Sequence, residues 1–146
     1  MTNPSVLAVV NGKHSDAEIV RLACKLVGPK KSKLNILYII EMDRTLPIDA
    51  EIVADTAKAE SILERMENIP EVKKIESEGE IVQARNIGAA VVKEAYEKKV
   101  EMIVFGVSDG QQYGNPSGDK TISYLLKNSP CNVIFANYTK FCENGK

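Results

Sequence analysis

Four glycines, Gly106, Gly110, Gly114 and Gly118, lead into Lys120 and Thr121, and most of the chemistry this chain can offer lies there. Glycine-rich backbone ahead of a helix turns N–H groups toward an anion; Lys120 adds positive charge and Thr121 a hydroxyl. Asn11-Gly12, after the first apolar run, brings an amide able to bond an adenine or ribose edge, with Lys13 and His14 beside it as phosphate partners. Arg85 can pair with an anion through its guanidinium, and Tyr113 can stack on a base. A plainer reading stands beside each: turn formers in a surface loop, a strand-to-helix turn, a solvent-facing arginine next to a helix cap. Gly114 to Thr121 fails as a P-loop, because three residues rather than four separate the glycines and Asp119 precedes the lysine.

No Glu-x-x-His, no nucleophile with a base and no carboxylate pair accompanies these residues, so the expectation is a protein that is not an enzyme, at most a slow ATPase. His14 is the single histidine, and Cys24, Cys131 and Cys142 form no Cys-x-x-Cys pair, which argues against a metal site. Nineteen basic residues balance twenty acidic ones. That leaves no electrostatic footprint for nucleic acid or an anionic membrane. No apolar run reaches the roughly 18 residues that span a bilayer, so no direct membrane insertion is expected. Met1-Thr-Asn-Pro lacks the basic flank of a signal peptide, and a cytoplasmic location is expected.

The positioning elements follow from hydrophobic pattern. Val6 to Val10 is an unbroken apolar block, as a strand covered on both faces requires. Ser15 with Glu18 matches a capping box, and Ile19, Leu22, Ala23, Leu26 and Val27 line one face of the helix it opens. Gly28-Pro29 ends that helix. Leu34 to Ile40 is the second strand. An amphipathic helix then carries Ile52, Ala59, Ile62, Leu63 and Met66 inward and closes at Pro70. Val72 to Gln83 reads as a partly frayed edge strand. Asn86 caps a helix from Ile87 to Lys98. Met102 to Phe105 is a buried strand ending at Gly106, the glycine loop follows, and a short helix buries Ile122, Leu125 and Leu126 before Pro130. Val133 to Ala136 is the last strand. This alternation predicts an α/β fold: one open, Rossmann-like parallel sheet of five strands over residues 1–137, with helices on both faces, and a frayed tail at 138–146. Ligands of such sheets sit at the carboxyl ends of the strands. Asn11, Gly12, the residues after Ile39, Arg85 and the loop from Gly106 to Lys120 all map to that rim.

The residues resemble the universal stress protein family over nearly the whole chain. The matching blocks are Val6-Leu-Ala-Val-Val-Asn-Gly12, Leu37-Tyr-Ile39, Ala84 to Ala95, Glu101 to Gly106, and Tyr124-Leu-Leu-Lys-Asn-Ser-Pro-Cys-Asn-Val133. A helix ending in Pro130-Cys131 directly before the final strand is the most specific of them. The resemblance implies a five-stranded sheet and dimerisation along the last strand, here Val133 to Ala136. It also implies a nucleotide motif: a glycine, two residues, a glycine, nine residues, a glycine, then Ser or Thr. Counted from Gly106, the later positions are Asp109, Asp119 and Lys120; counted from Gly110, the last two are Lys120 and Thr121. The family's adenine-site acid falls on the neutral Asn11.

An aspartate in place of a phosphate-facing glycine adds bulk and a repelling charge. The first expectation is therefore a non-enzymatic regulatory binding module of the stress-response type, with no cofactor and no ATP held in the usual family manner. An alternative is an adenine-nucleotide binder, taking ATP or AMP with magnesium through Asn11, Gly12, the Ile39 backbone, Arg85, Gly106, Gly110, Gly118, Lys120 and Thr121. A third is the regulatory domain of a transporter-like assembly.

Overall fold

The computed structural model describes residues 5–28, 33–107 and 116–137, with only the backbone described from 116 to 119. The tail from 138 onward, the loop residues Asp109, Gly110, Tyr113 and Gly114, and the side chain of Asp119 lie outside it. Five strands form one parallel sheet: β1 (Val6–Val10), β2 (Lys33–Glu41), β3 (Glu76–Ala84), β4 (Met102–Val107) and β5 (Asn132–Asn137), in the order β3-β2-β1-β4-β5. Helices α1 (Asp16–Val27), α2 (Val53–Glu67), α3 (Pro70–Lys73), α4 (Ile87–Lys98) and α5 (Pro116–Asn128) connect them.

The central strand shows why the apolar blocks sit where they do. All five residues of β1 are buried, and alternate residues enter two cores. Val6, Ala8 and Val10 join Ile36, Ile19, Ala23, Ile62 and Met66 on the face of α1 and α2. Leu7 and Val9 join Leu37, Ile39, Val91, Ala95 and Leu125 on the face of α4 and α5. A strand flanked by helices on both sides can have no polar alternation.

Five expectations are corrected here. Ser15 is no capping residue: its backbone is helical (φ −77°, ψ −5°) and its side chain makes no cap bond, since a cap needs extended backbone to turn its oxygen inward. Glu18 sits 3.4 Å from Arg21 instead. Pro70 does not only close α2; it opens α3, where a missing N–H costs nothing, and Val72 is buried in that turn rather than in a strand. β3 is not frayed, because it pairs with β2 along its whole length, from Lys33 opposite Glu76 to Glu41 opposite Ala84. Gly106 lies inside β4 opposite Ala136 rather than in a turn. There a β-carbon would stand 3.0 Å from Ile19 Cδ1, so the strand needs glycine to let α1 approach. Finally, α5 begins at Pro116, so Gly118, Lys120 and Thr121 are helical, and Leu126 is 69% exposed while Leu125 is buried.

Candidate functional site

Strand order reverses between β1 and β4, and a crevice at their carboxyl ends is where an open α/β sheet receives ligand. Asn11, Lys13, Ser15, Phe105, Gly106 and Val107 surround that point, yet together with Ile19 and Asp16 they enclose only about 10 Å³. Asp16 is 2% exposed. Its carboxylate accepts from the amide of Asn11 at 3.1 Å and of Gly12 at 2.6 Å. The β1–α1 amides that could receive an external anion are thus satisfied by one of the chain's own. Burial pushes the Asp16 carboxyl above the ordinary carboxylate range, against the pull of these amides and of Arg65. Gly12 holds φ +86°, and a β-carbon there would meet Ile62 Cδ1 at 3.0 Å. Asn11 is exposed, its side-chain oxygen accepting from the Lys13 amide at 3.2 Å.

The open space lies one step along the rim. A cleft of about 710 Å³ is bounded by the end of β2 and the residues after it (Glu41, Met42, Asp43, Arg44), the entry to α4 (Arg85, Asn86, Ile87) and the second and third turns of α5 (Lys120, Thr121, Tyr124). The cap of α4 forms as its sequence predicts, with Asn86 Oδ1 accepting from the Ala89 amide at 2.9 Å. Arg85 behaves otherwise. Its Nη1 donates to the Asp43 carbonyl at 2.8 Å and its Nη2 to the Leu46 carbonyl at 2.7 Å. Gln83 continues the clasp, giving Nε2 to the carbonyls of Ile48 and Ala50, both at 2.8 Å. The guanidinium expected to face an anion instead holds the β2–α2 loop as a cleft wall. In that loop Asp43 accepts from the Thr45 amide and hydroxyl, both at 2.9 Å, which hold its carboxyl below the ordinary range.

Of the residues expected at the site, Arg85, Lys120 and Thr121 meet in the cleft. Asn11 and Gly106 border the narrow crevice, Gly12 lines a separate cleft of about 440 Å³ with Lys13, His14 and Arg65, and Ile39 is buried under α4, two residues before Glu41 at the cleft edge. Gly118 is placed by backbone in the first turn of α5, and Gly110 lies outside the described residues. Arg44 and Tyr124 were missed. Arg44 lies three residues past the carboxyl end of β2, on the rim that topology marks; Tyr124 lies on α5, outside the apolar positions that mark that helix. Among the described residues, no group of three or more His, Cys, Asp or Glu could hold a metal ion, and no helix is long and apolar enough to cross a membrane.

The sequence profile of the universal stress protein family matches residues 3–136. The chain belongs to the universal stress protein family. A search of curated proteins by sequence gives no match. Solved structures share the fold at low identity. A family member from Burkholderia pseudomallei superposes with a TM-score of 0.70 at 16% identity, over 92% of this chain and 96% of that one. A universal stress protein in complex with cAMP gives 0.64 at 18%, over 94% and 98%. The Archaeoglobus fulgidus protein in complex with dAMP gives 0.67 at 15%, over 92% and 97%.

Proposed function

We propose that this universal stress protein is a cytoplasmic, non-catalytic regulatory module whose rim cleft takes an adenine mononucleotide, and that it does not hold ATP in the manner of the family's triphosphate binders. The observation that carries this is the cleft itself, open at the carboxyl ends of the strands, with Arg44, Lys120 and Thr121 on its walls and Tyr124 beside them. One phosphate finds cations and a hydroxyl there. Further phosphates find little more, since Asp16 has taken the β1–α1 amides and the family's glycine positions read Asp109 and Asp119. Relatives of the same fold were solved with cAMP and dAMP, ligands carrying a single phosphate.

Calorimetric titration with AMP, cAMP and ATP, with and without magnesium, tests the reading. Expected is saturable binding of AMP or cAMP, with ATP weaker. Lys120→Ala or Arg44→Ala should each weaken it about tenfold or more, the usual effect of losing a charge-assisted contact. No heat from any of the three at millimolar nucleotide would remove the proposal, and tighter binding of ATP would reverse its phosphate argument. We further propose that the chain works as a homodimer paired along β5, for reasons that belong to the whole sheet.

A further inference from the structure

At the opposite end of the sheet from the rim, α1 and α3 leave a second cleft of about 460 Å³. Leu22 and Cys24 from α1, with Ile75 from the turn after α3, make its floor. All three pack against the core on one side and remain partly exposed on the other. The charges around this floor sort into two groups. Arg21 is occupied, its Nη1 3.4 Å from Glu18 and its Nε 3.7 Å from Glu71, and this trio keeps one negative charge. Lys25 and Lys74 line the same cleft, are exposed, and have no ion-pair partner among the described residues. Three cations against two carboxylates leave the lining one positive charge in excess.

Hydrocarbon below and one excess positive charge at the edge define the occupant's chemistry. A bare phosphate would leave the floor wet, and a neutral hydrocarbon would leave the excess positive charge of the lining without a counter-charge. The volume falls within the roughly 300–1,000 Å³ of small-molecule sites. We infer that this cleft binds a small amphipathic carboxylate of the medium-chain fatty acid kind, its apolar body on Leu22, Cys24 and Ile75 and its carboxylate partnered by Lys25 and Lys74. Burial, and next the nearby Glu71, push the Cys24 thiol up, so at neutral pH it is uncharged and suits an apolar floor. The site lies on the α1 face, away from the nucleotide cleft, and stands or falls independently of it.

Decanoate titrated into the full chain by calorimetry tests the inference, with alkylation of Cys24 by iodoacetamide, read by peptide mass, as the local probe. Expected is one saturable site and slower labelling of Cys24, with no change at Cys131, which packs on the other face of the sheet. Lys25→Gln and Lys74→Gln, both at exposed positions, should each weaken binding about tenfold. Lys73→Gln, on α3 but outside the cleft, should leave it unchanged. Absence of binding below the micellar concentration would overturn the inference. So would decanol binding as tightly as decanoate, equal affinity in both lysine variants, or undiminished labelling of Cys24 at saturation.

Discussion

Asp16 is buried with its carboxylate on two turn amides, so truncating it strands both donors in a part-buried turn. Asp16→Ala should cost about 1–3 kcal/mol in urea unfolding, since the two amides lose a charged acceptor that water replaces only in part. Ser15→Ala should stay within about 0.5 kcal/mol, because the hydroxyl makes no cap bond. The opposite ranking would return the cap to Ser15. Glu94 poses a question of pH instead. It is a buried carboxyl on α4 whose titration is pushed upward first by burial and then by Glu80 across on β3, with Glu97 adding to the push. Lys98 opposes this, but it also engages Glu80 at 3.2 Å and Glu78 at 3.7 Å. A raised folded value means the fold favours the protonated acid. Its contribution is complete below the ordinary glutamate value of 4.5 and is lost as pH climbs through the raised one. Glu94→Gln should therefore flatten that decline, leaving the variant the more stable protein at neutral pH; unfolding curves across the range read it directly.

At the scale of elements, the β2–α2 loop is held by four side-chain bonds from the end of β3, two from Gln83 and two from Arg85. Arg85→Ala should speed amide hydrogen exchange over residues 43–50 and cost about 1–3 kcal/mol, the charge-assisted pair being partly solvent-screened. Exchange that rises only in α4 would contradict the clasp. This device shows where sequence reading ends. Apolar blocks such as Val6–Val10 and local signals such as Asn86 before Ile87 announce themselves within a few residues, and those elements form as expected. The partner of Arg85 is a pair of carbonyls forty residues away, to which no side-chain pattern points. Gly106 reads as a turn because its reason, the Ile19 side chain pressed against the strand, is more distant still in sequence. In α5 the local signals conflict. Pro116 suits a first helical turn, while Gly118 and Asp119 favour loop, and the helix starts at the proline. The site was mislaid for the same reason: its rim is legible from topology, but that the point between β1 and β4 is narrow depends on Asp16 and Ile19 packing beside it.

The whole sheet has two edges, and they are unlike. Along β3 acids recur at Glu76, Glu78 and Glu80, and Lys33 and Lys98 tie into them, with Lys33 2.6 Å from Glu78. Charge of that density opposes another strand laying itself alongside. The β5 edge reads Asn-Val-Ile-Phe-Ala-Asn, carries no charge, and keeps its four middle residues only partly buried. Phe135 is anchored from within, edge-on to Phe105 at 6.2 Å, while Ile134 belongs to neither core layer. An uncharged edge with open backbone groups gains from pairing with a copy of itself, and a two-fold axis beside β5 makes the contact self-complementary. Sedimentation velocity should find a dimer in the wild-type chain. Ile134→Lys should convert it to monomer while the thermal transition stays two-state, because a charge on that edge penalises pairing without entering a core. A wild-type monomer at tens of micromolar protein would defeat the pairing, and a dimer that survives Ile134→Lys would move the interface off β5.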